Sequence, residues 1–107
     1  MQRYGSVIRL RPEKEEEYLE LHANAWPAVL AQISKSNMRN YSIFLRDGFL
    51  FAYFEYVGDD FDADMAAMAE DPETQRWWTF TDPCQEPIAT AKPGEHWASM
   101  TEVFHTD

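Results

Sequence analysis

The stretch Asn40–Val57, NYSIFLRDGFLFAYFEYV, decides the fold. Asp47-Gly48 is a two-residue hairpin signal, because a tight turn between twisted strands needs positive φ and these residues tolerate it. The pair separates a strand at 40–45, NYSIFL, from a strand at 49–57, FLFAYFEYV. Phe49, Phe51 and Tyr53 point to one face of the second strand, and Leu50, Phe54 and Tyr56 to the other. A strand that is apolar on both faces is covered on both.

Toward the N-terminus, residues 3–10, RYGSVIRL, read as another strand, with Tyr4, Ser6, Ile8 and Leu10 on one face and Arg3, Gly5, Val7 and Arg9 on the other. Pro12 suits a first helical turn, and the acids from Glu13 to Glu17 complement the positive end of a helix dipole. That helix is expected to run to about Ser36, kinked at Pro27, which has no backbone N–H to donate. Toward the C-terminus, Gly58-Asp59-Asp60 ends the hairpin and offers a helix cap. A short acidic helix follows at 61–70, and Pro72 restarts the chain into a second helical piece carrying Arg76, Trp77 and Trp78. The segment 82–94, with Pro83, Pro87, Pro93 and Gly94, reads as loop, and SMTEVFH at 99–105 as the last strand. The order β-α-β-β-α-β over residues 1–107 predicts one domain, an α+β ferredoxin-like sandwich. In that topology the helices lie on one face of the sheet. The other apolar face is then either a partner interface or a ligand cleft, and a homodimer with the sheets face to face is expected.

Composition narrows the function. Apolar residues make up 45% of the chain and the formal charge is −10. Such a chain is globular, and it repels phosphate backbones and anionic membranes. Nucleic-acid and membrane partners are therefore not expected. A single cysteine, Cys84, permits no intrachain disulfide, and the first residues carry no signal-peptide core, so a cytoplasmic protein is expected. His22, His96 and His105 lack ligand-like spacing, and no phosphate loop, dinucleotide fingerprint or nucleophile elbow is present. Neither a metal nor a cofactor is expected.

The chemistry gathers in EEEYLELHANAWPAVL, residues 15–30. At about 100° per residue, Tyr18, Leu19, His22, Trp26, Val29, Leu30 and Ile33 share a stripe about 120° wide, with His22 at its middle. A histidine there is either a core residue bonded to a neighbouring strand or a titrating group between aromatic walls. Trp77 and Trp78 point about 100° apart on a helix, so both are buried only if one faces the core and the other a cleft or a partner. Tyr41 opens a strand beside Asn40 and is either a half-buried sheet tyrosine or a ligand contact. Glu55 and Glu102 interrupt apolar strands, and are expected to pair with Arg3 or Arg9 or else to serve a polyol or a proton transfer.

Taken in order, Y-x3-H-x3-W-P (Tyr18, His22, Trp26, Pro27), NYSIFL at 40–45, LFAYFE at 50–55, RWW at 76–78 and EVFH at 102–105 resemble the L-rhamnose mutarotase family along nearly the whole chain. The resemblance implies a dimeric α+β barrel that interconverts the α and β anomers of a 6-deoxy-L-hexose. It implies His22 as proton donor and Tyr18, Tyr41, Trp77 and Trp78 as sugar contacts. The chain departs from the pattern where rhamnose-specific members typically carry an Asn-Pro-Asp-Asn-Ser-Pro-like stretch. Here the region reads EPIATAKPGEHWASM, which leaves L-rhamnose and L-fucose both open. Two other functions fit the residues alone. A cofactor-free oxygenase of the dimeric α+β-barrel type would take a planar aromatic substrate and consume oxygen. A non-catalytic binding module would pack the face around His22 dry.

Overall fold

A computed structural model describes residues 1–107. Strand β1 (Gln2–Leu10) leads through a short 3-10 turn into helices α1 (Glu15–Ala23) and α2 (Pro27–Lys35). The hairpin β2 (Met38–Arg46) and β3 (Phe49–Tyr56) follows, then helices α3 (Phe61–Glu70) and α4 (Pro72–Thr81). Two short strands, β4 (Gln85–Glu86) and β5 (Ala98–Met100), complete the order. The sheet runs β2-β3-β1-β4, with β5 also on β1, and every pairing is antiparallel. This is the expected ferredoxin-like α+β arrangement, a curled sheet forming half of a barrel with the helices on its concave face.

The hairpin turns where expected. Asp47 (φ 54°) and Gly48 (φ 78°) both take left-handed backbone, the signature of the turn that matches strand twist. A β-bulge interrupts β2 between Arg39 and Ser42. Asn40 adopts φ 52°, a conformation asparagine tolerates, and its amide is held by Glu55 Oε1 at 2.8 Å. The extra residue reverses the alternation of the strand. Met38 pairs across from Tyr56 on the inner face, and beyond the bulge Ile43 and Leu45 pair with Ala52 and Leu50 on that same face. Tyr41 is thereby carried inward, and Phe44 is left outside, 64% exposed.

Three expectations need correction. A single kinked helix reaching Ser36 is instead two helices, separated at residues 24–26. The residue before a proline avoids helical backbone, and Trp26 is extended at ψ 132°, with Pro27 opening α2. Tyr18 and Val29 are nevertheless buried and His22 and Ile33 half-buried, so only the edge of the expected stripe turns outward. Leu19 and Leu30, placed by sequence on the buried stripe, are 48% and 53% exposed. The last strand spans Ala98–Met100 rather than 99–105. Val103 and Phe104 have no apolar surface of this chain to lie on and are exposed. The fourth-strand position is split instead, with β4 on the C-terminal end of β1 and β5 nearer its N-terminal end. Residues 87–97 leave the sheet between them.

Capping behaves as the sequence suggests. Asp60 accepts from the Ala63 N–H at the start of α3, and Asp71 accepts from the Thr74 N–H and hydroxyl at the start of α4. The core packs Ile8, Leu10, Tyr18, Leu50 and Cys84 together, with Ile43, Leu45 and Trp97 against them. Arg3 pairs with Glu102 at 2.7 Å as expected, whereas Arg9 and Arg11 pair with Glu86. Glu55 forms no close ion pair, although Arg3 and Arg39 flank it on the neighbouring strands, and accepts from Tyr53 and Asn40 instead. No helix is long and apolar enough to cross a membrane.

Candidate active site

Between the concave face of the sheet and the helices lies a cavity of about 440 Å³. That volume falls in the range of small-molecule sites. Its floor comes from β1, β2 and β3, and its walls from the four helices and the excursion at 87–97. Tyr18, His22, Tyr41, Trp77 and Trp78, the five site residues picked from sequence, all line it. Trp26, Glu55 and Glu102 do not. Trp26 sits in the break between α1 and α2, edge-on to Trp77 at 5.1 Å, with the Arg76 guanidinium 4.6 Å above its ring. It supports Trp77 from behind and faces away from the cavity. Glu55 and Glu102 are engaged on the sheet, as described above.

His22 is oriented by its own helix. Its Nδ1 lies 2.9 Å from the Tyr18 carbonyl oxygen one turn back. A carbonyl only accepts, so Nδ1 carries the hydrogen, and in the neutral ring Nε2 keeps its lone pair. Nε2 has no protein partner. The ring is stacked obliquely on Tyr18 at 4.1 Å and meets Trp77 edge-on at 5.3 Å. Burial among these rings lowers the His22 pKa, and the bond to the Tyr18 carbonyl only partly opposes the shift. The resting side chain at neutral pH is thus an imidazole with a free basic nitrogen at the cavity wall.

The other four residues frame that nitrogen. Tyr18 is 2% exposed, and desolvation drives its phenol far above the usual range. It stays a hydroxyl at neutral pH. Desolvation likewise raises Tyr41, although that residue taken whole is 40% exposed, beside Phe54. The two tryptophans divide as helix geometry requires. Trp77 is buried, with His22 and Trp26 on its ring, and Trp78 is half-buried. Cys84 is buried below the site, its thiol pushed up to about 11 by burial and by Glu17, which makes it a poor nucleophile.

Several polar cavity residues are not singled out as site residues by the sequence: Ser6, Thr74, Thr81, Asp82, Gln85 and His96. Gln85 is 6% exposed, donates to the Tyr18 hydroxyl at 3.0 Å, and meets His96 Nε2 through its own oxygen at 2.9 Å. His96 and Trp97 arrive from a segment that looks like plain loop. Their one sequence signal is a His-Trp pair inside a Pro- and Gly-rich stretch, where aromatic residues have no local reason to be. No group of three or more His, Cys, Asp or Glu residues is arranged to hold a metal ion.

A basic imidazole, hydroxyl donors and indole walls around one cavity form the chemistry of a polyol site. Comparison with known proteins gives the family. Residues 3–106 match the family model of L-rhamnose mutarotase. Full-length similarity runs to the L-rhamnose mutarotases of Oceanobacillus iheyensis, 34% identical, and Opitutus terrae, 36% identical, with all of both chains covered in each case. The fold is shared with the crystal structure of an L-rhamnose mutarotase from Formosa agariphila, at a TM-score of 0.77 and 22% identity, again over all of both chains. It is shared too with tetracenomycin F2 cyclase, a polyketide cyclase of Streptomyces glaucescens, at a TM-score of 0.70 and 16% identity. The chain belongs to the L-rhamnose mutarotase family, isomerases that interconvert sugar anomers.

Proposed function

We propose that this protein interconverts the α and β anomers of L-rhamnose, by acid–base ring opening in the cavity bounded by His22, Tyr18, Tyr41, Trp77 and Trp78. The observation that carries this reading is the free Nε2 of a neutral His22 facing a cavity walled by indoles and hydroxyls.

Mutarotation breaks the C1–O5 bond and remakes it on the other face of C1. The family resemblance implies His22 as proton donor, which would deliver a proton to O5 as imidazolium. The lowered pKa supports the opposite start, with His22 as base. Nε2 takes the proton of the C1 hydroxyl, the C1–O1 bond becomes the aldehyde, and the C1–O5 electron pair goes to O5. Tyr18, held as a hydroxyl by its raised pKa, donates a hydrogen bond to O5 as charge develops there. The aldehyde turns, O5 closes on its other face, and His22 returns the proton to O1. Atoms and charge balance without a cofactor. Trp78 is placed to cover the sugar's apolar face and C6 methyl, and Tyr41 to bond its hydroxyls.

Polarimetry tests the reading. A freshly dissolved single anomer of L-rhamnose is expected to reach its equilibrium rotation faster with the protein than in buffer. No acceleration by a folded sample would refute the proposal. Faster relaxation of L-fucose alone would move the substrate to that sugar.

The base role carries a sign. A base must be unprotonated, so kcat/KM is expected to hold through neutral pH and fall on acidification, with its inflection below the ordinary histidine value of 6.5. A rate that rises as pH falls through 6.5 would instead make His22 the acid.

The homodimer is part of the same proposal. The outer face of the sheet carries Phe44, Phe51 and Met100, which are 64%, 36% and 42% exposed, with Phe49 and Tyr53 beside them. A contiguous apolar face of this kind marks an association surface. Phe44→Asp is expected to convert the protein from the mass of two chains to that of one in light scattering. Wild-type protein running as one chain would rule the dimer out.

A further inference from the structure

Gln85 joins two residues far apart in the chain. Its side-chain nitrogen is 3.0 Å from the Tyr18 hydroxyl, its side-chain oxygen is 2.9 Å from His96 Nε2, and Asp82 Oδ1 lies 3.7 Å from that same His96 nitrogen. We propose that His96 and Gln85 form a positioning relay that holds the Tyr18 hydroxyl as a hydrogen-bond donor toward the sugar. The inference rests on the reading of the cavity as a sugar site.

Hydrogen-bond polarity sets the direction of the relay. A carboxylate beside His96 Nε2 favours a hydrogen on that nitrogen, whether the ring is neutral or charged. His96 then donates, and Gln85 must answer with its carboxamide oxygen. That leaves the Gln85 NH2 facing Tyr18, where it donates to the phenol oxygen. Tyr18 has no other protein partner at its hydroxyl, so its own hydrogen is left for a group in the cavity. With the amide turned over, the polarity inverts. Gln85 oxygen would take the Tyr18 hydrogen, and the phenol could offer a sugar oxygen only lone pairs. The turned amide would also set its NH2 against a His96 that is itself a donor. Gln85 and Tyr18 are 6% and 2% exposed, so water cannot readily repair a mismatched bond between them. His96, whose side chain is 42% exposed at the rim, is the one member of the relay that can be changed with little effect on packing.

His96 and Gln85 are positioning residues, because they act through Tyr18. The experiment is a double-mutant cycle read in two ways. Anomer exchange of L-rhamnose is measured for wild type, His96→Ala, Tyr18→Phe and the double variant. His96→Ala is expected to slow exchange roughly three- to tenfold, the scale of one neutral hydrogen bond, when Tyr18 is present, and to have no effect when residue 18 is phenylalanine. His96→Gln, which keeps a donor for Gln85, is expected to restore the rate. The 13Cζ resonance of labelled Tyr18, which reports whether the phenol donates or accepts, is expected to move in His96→Ala and to stay in place in His96→Gln. An equal loss in both backgrounds, or a Tyr18 resonance unmoved by His96→Ala, would overturn the relay. The spectroscopic arm needs no turnover, so it decides the relay even if wild type accelerates no sugar, an outcome that would defeat only the proposed activity.

Discussion

His22→Ala is expected to lose about 10²–10⁴-fold of the accelerated anomer exchange, the usual contribution of a positioned general acid–base group. The expectation rests on three features of one side chain. Its Nδ1 is committed to the Tyr18 carbonyl, its Nε2 is free, and its pKa is lowered by the rings around it. No other cavity residue combines a free basic nitrogen with that degree of enclosure. His96, the other histidine there, spends its Nε2 on Gln85 and Asp82. The fold is expected to survive, because His22 is only half-buried and its bond is to its own helix. Polarimetry on L-rhamnose gives the rate, and circular dichroism with urea unfolding checks the fold. A folded His22→Ala protein with wild-type exchange would remove His22 from the chemistry.

The largest expected effect on stability belongs to Trp77→Ala, about 3–5 kcal/mol, as for other buried aromatic truncations. Trp77 is 7% exposed and holds together parts that are distant in sequence. Its ring meets His22 from α1 at 5.3 Å and Trp26 from the inter-helix break at 5.1 Å. Removing it leaves a void where α4 meets those elements and frees the imidazole from one wall, so activity is expected to fall with stability. Trp78→Ala is the contrast. That residue is half-buried and faces the cavity, so its loss should raise KM by roughly tenfold, the scale of one lost aromatic contact, with little change in unfolding midpoint. Urea unfolding of both variants checks the pair. A Trp77→Ala variant within 1 kcal/mol of wild type would contradict its place in the core.

What could be read from the sequence, and what could not, follows from how local each signal is. The turn at Asp47-Gly48 is carried by two adjacent residues and appears with both at positive φ. The caps at Asp60 and Asp71 are equally local. Pro27 also announces itself, but its consequence was larger than a kink. The pre-proline Trp26 is extended and ends α1 at Ala23, while Leu19 and Leu30, at the edge of the stripe, face out. The bulge at Asn40 depends on how many residues face one residue of the neighbouring strand, and a single strand does not show that count. Without it, the inward turn of Tyr41 and the outward turn of Phe44 could not be assigned. The apolar residues in SMTEVFH suggest a strand over 99–105, yet such a segment joins a sheet only where its apolar side chains have a surface to meet, and Val103 and Phe104 are exposed.

The site divides in the same way. Tyr18 and His22 are one turn apart on α1, so their meeting is a helical certainty once the helix is recognised. Trp77 and Trp78 needed only the angle between neighbouring helical residues. The polar line from Asp82 through His96 and Gln85 to Tyr18 comes from segments far apart in the chain, which meet because the fourth-strand position is interrupted. No spacing rule links them. The resemblance to the L-rhamnose mutarotases was legible because its motifs are spread in order over the whole chain.

The measurement that bears most directly on the central claim is magnetisation-exchange NMR on L-rhamnose at anomeric equilibrium, with increasing amounts of protein. Exchange between the α and β anomeric proton signals is expected at a rate that grows in proportion to wild-type protein. With His22→Ala the rate should stay close to that of buffer. Exchange at the buffer rate at every concentration of folded wild-type protein would contradict the claim.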